Sequence, residues 1–207
     1  MDKKVIVIGI IFSLFLMLIF TNFYWALNQE DYSEDNYLLL TLMRADADVL
    51  EISVPNQKAD SYYNEASYSY EDMNYPLVES NCRLARGYYL ETSQGYKTIK
   101  AELKATEIKD KLVDIYVERL DLYSEIADNM YEACEHFEST ARYYDKYFNT
   151  DVAYGDASYD MGTKELDMMN EKIREHDKNV GLYNDKLEEY RAELKSKIDV
   201  LLQGTKE

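Results

Sequence analysis

Two long runs of apolar residues, each alternating by four and three, restrict this chain more than any other feature. Tyr116, Leu120, Tyr123, Ala127, Met130, Cys134, Phe137, Ala141, Tyr144 and Phe148 form the first run. Leu166, Met169, Ile173, His176, Val180, Tyr183, Leu187, Tyr190 and Leu194 form the second, and Ile198 and Leu201 continue it one residue out of step. A stripe repeating every ~3.5 residues is the seam along which two α-helices pack side by side. The stretch between them, Asn149 to Thr163, holds Gly155, Gly162 and the turn-forming Asn149, Asp151, Asp156 and Ser158. The two seams therefore predict an antiparallel pair of helices, each approaching about 75 Å if straight.

The chain before these runs is also free of strand signals, since no segment alternates polar and apolar residues for long enough. Its only prolines are Pro55 and Pro76. Leu38, Leu42, Ala45, Val49 and Ile52 mark a helix ending near Pro55. Tyr63, Ala66, Tyr70, Met73, Leu77, Leu84 and Tyr88 trace a second face, which Pro76 is expected to kink. Gly95, within "TSQGYKT", is the best turn before the long helix. The expectation is an all-α protein, an elongated antiparallel helical bundle or coiled-coil hairpin, with helices at about 34–53, 57–93, 97–149 and 160–203.

From Val5 to Phe20 every residue is apolar except Gly9 and Ser13, and Phe23, Tyr24 and Trp25 follow. Residues 5–27 would reach roughly 35 Å as a helix, enough for a hydrocarbon core of about 30 Å, with the aromatic cluster at the headgroups. A cleavable signal ends in small residues; the best candidate cut, after Ala26, has Tyr24 where a small residue is wanted. The run therefore reads as an uncleaved transmembrane signal-anchor. Lys3 and Lys4 precede it and Glu30, Asp31, Glu34 and Asp35 follow it. The positive-inside bias makes residues 1–4 a cytoplasmic stub and residues 28–207 an extracytoplasmic acidic helical bundle on a single-pass anchor in the cell membrane.

A formal net charge of -17 repels nucleic acid and anionic headgroups, so DNA and RNA are excluded as partners. Tyrosine is abundant, at 21 residues of 207, and its apolar body and polar tip suit half-buried helix positions and wet interfaces alike.

Motifs that carry chemistry are missing. Neither His136 nor His176 has a glutamate three residues before it, so the paired Glu-x-x-His ligands of a di-metal bundle are absent. Cys134, Glu135 and His136 are adjacent in sequence but only Cys134 lies on the seam. Asp151, Asp156 and Asp160 lack the alternating spacing of an EF-hand loop. There is no phosphate-binding glycine loop and no nucleophile elbow. No catalytic, cofactor-binding or metal residue is assigned, and no cofactor is expected. With the turn at Gly95, Cys82 and Cys134 would be offset by roughly 40 Å along the bundle and would remain unpaired within the chain, or bridge to another chain.

These features predict a non-enzymatic protein. It would contact the lipid bilayer through residues 5–27 and a protein partner, or a second copy, through its helices. The short segment before the span suggests a scaffold or accessory subunit rather than a stand-alone receptor. The alternative is a secreted or anchored metal-binding or enzymatic helical bundle.

Overall fold

The computed structural model describes residues 34–149 and 155–204, and all regular structure among them is helical. Four helices follow one another: α1 (Glu34–Glu71), α2 (Tyr75–Ala105), α3 (Lys111–Asn149) and α4 (Gly155–Gly204). The proposed span at 5–27 lies outside the described residues. Among those described, no helix is long and apolar enough to cross a membrane. The chain divides into two units between Met43 and Arg44. Of the first unit only residues 34–43 are described; Leu38 and Leu42 are buried there, and Thr41 Oγ1 donates to the Tyr37 carbonyl at 2.9 Å.

Within the second unit, the helix boundaries correct those expected from the sequence. Pro55 does not end a helix at 53: α1 runs through it to Glu71. An interior proline removes one backbone hydrogen bond and costs on the order of 3 kcal/mol. Packing on either side offsets this, with Ile52 seated on α2 and Ala59 and Ala66 wholly buried. Pro76 does not kink a helix either. It occupies the first turn of α2, where its missing N–H has no intrahelical role.

The break falls between them. Asn74 N–H donates to the Ser69 carbonyl at 2.8 Å and Met73 N–H to the Tyr70 carbonyl at 3.0 Å. This is a Schellman closure, with Met73 in the left-handed position at φ 56°. The expected helical face across Tyr63–Tyr88 is therefore two faces. Tyr63, Ala66 and Tyr70 pack inward on α1, whereas Met73, Leu77 and Leu84 are exposed. The inward face of α2 is instead Tyr75, Val78, Cys82, Ala85, Tyr89, Tyr96, Ile99 and Leu103.

Gly95 is not a turn. It lies inside α2, where a β-carbon would stand 2.7 Å from Ile52 Cδ1 of α1. The turn comes later, after Ala105, with Glu107 in the left-handed region at φ 56°. Asp110 then starts α3: its Oδ1 accepts from Leu112 N–H at 2.8 Å, and its carbonyl accepts from Val113 and Asp114. Helices 57–93 and 97–149 are thus replaced by 75–105 and 111–149. Moving the turn removes the expected 40 Å offset between the cysteines. Nearly equal lengths of chain now separate Cys82 and Cys134 from it, and both are fully buried free thiols in one core cluster.

The first seam is the spine of this core. Every member from Tyr116 to Tyr144 is buried or half-buried, and only Phe148 emerges. Leu112, Val113, Ile115, Ala133 and Thr140 are buried beside the seam because α3 is covered by α1 and α2 as well as by α4. α4 packs on one side only. Of its seam, Met169 and Tyr190 are buried, most members are half-buried and Ile198 is exposed. α4 also starts before residue 160, and Gly162 belongs to it. There a β-carbon would clash with the Tyr144 ring, so the missing side chain lets the ring lie on the helix.

Candidate functional site

A cluster of polar side chains surrounds Arg119 of α3, which is only 8% exposed. Its guanidinium lies 4.6 Å from the ring centroid of Tyr190, 5.0 Å from that of Tyr116 and 5.6 Å from that of Tyr183. Nη2 donates to the Tyr183 hydroxyl at 3.1 Å, while the buried Nε and Nη1 have no hydrogen-bond acceptor. The negative faces of three rings stand where acceptors would otherwise be needed. Tyr123 donates to the same Tyr183 oxygen at 2.6 Å, and Tyr116 donates to the Asp46 carboxylate of α1 at 2.6 Å. Burial pulls the Arg119 pKa down, but the hydrogen bond to Tyr183 and the surrounding tyrosines and Asp46 outweigh it and hold the charge in place. Burial, reinforced by Asp46, pushes the Tyr190 hydroxyl up to about 12. The cluster joins α1, α3 and α4.

Two further polar contacts act in the same way. Tyr89 of α2 donates to Asp60 of α1 at 2.7 Å, and burial together with that carboxylate raises its pKa strongly. Glu138 of α3, its side chain 8% exposed, accepts from Arg86 at 3.0 Å, Arg142 at 2.9 Å and Arg83 at 3.2 Å. Arg86 also reaches the Tyr131 hydroxyl at 2.9 Å and Glu135 at 3.1 Å. A buried carboxylate is costly unless its oxygens are satisfied, and three guanidiniums satisfy this one.

Along the outer edge of the α3–α4 pair runs a ladder with rungs seven residues apart. Lys111 meets Glu193 at 2.7 Å, Glu118 meets Lys186 at 2.6 Å, Asn179 donates to Glu125 at 3.2 Å, and Glu132 meets Lys172 at 2.8 Å. His136 and Glu165, 2.7 Å apart, continue the edge. Exposed pairs of this kind add little stability singly, but a complementary row fixes the register of antiparallel helices. The rung at Asn179 is the only one of the four without a cation, although Lys178 lines the same groove.

Two shallow grooves open on this edge. The larger, about 520 Å³, has Leu122 and Leu182 in its floor and Glu118, Asp121, Asp185 and Glu189 around them. The smaller, about 280 Å³, lies at the Glu125–Asn179 rung and adds Asp128 and Glu175. Seven carboxylates and two lysines line the pair.

The residues weighed in the sequence are dispersed. Cys134 is inside the core, Glu135 faces Arg86 of α2, and His136 faces Glu165 of α4. His176 is half-buried, with its Nδ1 3.0 Å from the Asp177 carboxylate. Asp156 and Asp160 are exposed on the first turns of α4, and Asp151 lies outside the described residues. Among the described residues, no group of three or more His, Cys, Asp or Glu side chains is placed to hold a metal ion. Sequence reasoning missed the ladder, although the seven-residue spacing of Lys111, Glu118, Glu125 and Glu132 against Lys172, Asn179, Lys186 and Glu193 was available. It also missed Arg119, for which there was no signal: a single arginine beside a seam looks solvated until helices cover both sides. No family model, no curated protein and no solved structure matches this chain.

Proposed function

We propose that this protein is a non-catalytic, membrane-anchored helical module that presents an acidic face to a protein partner outside the cell. The observation that carries the reading is how the buried polar groups are used. Arg119, Glu138, Tyr89 and Tyr116 all spend their hydrogen bonds or charge on a neighbouring helix, as fasteners between helices rather than groups poised for a substrate. A catalytic site needs perturbed groups converging on a cleft. The grooves here are instead shallow and lined largely by surface carboxylates. Anchorage rests on the apolar run Val5–Phe20, the aromatic trio Phe23–Trp25 and the lysine-before, acid-after asymmetry.

Carbonate extraction and intact mass test the anchorage. Retention in the membrane fraction with the amino terminus intact is expected. A released species beginning near Asn28 would refute it. Affinity isolation from detergent-solubilised membranes tests the module reading, which fails if the protein purifies without a stoichiometric partner or a second copy.

A further inference from the structure

We infer that the outer edge of the α3–α4 pair is a docking groove for a basic, amphipathic helix of a partner protein. This rests on reading the protein as an interaction module and names the chemistry of the partner. Leu182 is 45% exposed and stands with Leu122 in the groove between two parallel rows of charged side chains. A leucine pair at a helix–helix groove receives the apolar stripe of a third helix in the same manner that the seam receives α4. The charge of the rim selects the occupant. Seven carboxylates and two lysines line the two grooves, which follow one another along the same helices, and with Lys97, Lys100 and Lys172 paired to the rim from beside them the balance remains acidic. Their field opposes an acidic helix and favours lysine and arginine.

A second copy of this acidic chain meets the same repulsion, since its net charge is -17. Lysines of the protein already hold most of the rim: Lys186 bridges Glu118 at 2.6 Å and Glu189 at 2.9 Å, Lys100 meets Asp121, Lys97 meets Asp128 at 2.8 Å and Lys172 meets Glu175 at 2.9 Å, which leaves Glu125 and Asp185 for a cation from outside. At the neighbouring rung Asn179 supplies no charge at all. A cationic side chain arriving beside Glu125 and Asp185 would complete the pattern that Lys111 and Lys172 complete elsewhere on the edge.

The test uses the full chain in zwitterionic nanodiscs, with empty nanodiscs subtracted. The probe is a fluorescent peptide helix with a leucine stripe flanked by lysines. Two comparison peptides have the same composition scrambled, or glutamate in place of lysine. Expected are saturable binding of the lysine helix, weakening with salt, and at least tenfold weaker binding of both comparison peptides. Leu182→Gln and Asp185→Lys should each weaken binding at least tenfold with helicity unchanged. Leu84→Gln, at an equally exposed leucine on α2, should leave it unaltered. Equal binding of the scrambled peptide, equal loss in Leu84→Gln, or no binding by the unaltered protein would each overturn the inference. None of these results bears on anchorage or on co-purification, so the broader reading stands or falls separately.

Discussion

Ile52 of α1 fills the place a side chain would take on Gly95 of α2: its Cδ1 lies 2.7 Å and its Cγ1 2.8 Å from where a β-carbon would be. The glycine is there for close approach of two helices, not for a turn. Leucine at this position would have to displace Ile52 or separate the helices. Gly95→Leu is expected to lower stability by about 1–3 kcal/mol, as overpacking does. Ile52→Ala should recover part of that loss, with a coupling above about 0.5 kcal/mol in a double-mutant cycle. Gly87 has nothing within 4 Å of its potential β-carbon. Gly87→Ala should therefore raise stability by up to about 1 kcal/mol through helix propensity alone. Denaturant melts showing the same sign at both sites would refute the packing of α1 on α2.

Removal of one oxygen tests the Arg119 cluster. In Tyr183→Phe, the Arg119 Nη2 and the Tyr123 hydroxyl both lose their acceptor in a buried place. The expected cost is about 1–3 kcal/mol. The matched control is Tyr147→Phe at an exposed position, which should stay within about 0.5 kcal/mol. Equal thermal shifts for the two would mean that the cluster is solvated.

The two tight breaks place Met73 and Glu107 in the left-handed region. A β-carbon is strained there and glycine is not. Met73→Gly and Glu107→Gly should each stabilise the fold by about 0.5–1 kcal/mol, read as a higher melting temperature. A loss at either site would show that its side chain contributes more than the strain costs.

Burial pushes the hydroxyls of Tyr63, Tyr70, Tyr96 and Tyr190 up to about 12 from an ordinary value of 10. The folded state thus holds these protons to a higher pH than the unfolded chain does. Their contribution to stability is complete below pH 10 and is lost as pH rises toward about 12. Circular dichroism and tyrosinate absorbance followed together should change in one step. Ionisation of most tyrosines while helicity is intact would contradict the buried placement.

Burial also raises both thiols, Cys134 to about 12 and Cys82 further. The thiolate is the reactive form, so neither cysteine should be alkylated by a maleimide at neutral pH until denaturant is added. Selective labelling of Cys82 in the native protein would show that the inward face of α2 is open.

The sequence by itself determined the helical class and the spine. Spacing by four and three from Tyr116 to Tyr144 can bury its apolar groups only along one helical stripe, and that stripe is the centre of the bundle. It also determined that the second seam pairs with the first. Tertiary structure decided where the helices stop. Pro55 and Gly95 are local signs of a break, yet α1 passes through the first and Ile52 rests on the second, whereas Pro76 does mark a break, since α2 begins beside it. Local propensity is worth at most a few kcal/mol at one residue, and packing on two sides exceeds it. The left-handed positions themselves fall at Met73 and Glu107, residues with no turn preference, and at Glu107 no proline or glycine stands nearby to announce the break. Arg119 and Glu138 were illegible for the same reason. A charged residue beside a seam is solvated on an isolated helix, and becomes a fastener only when further helices cover it.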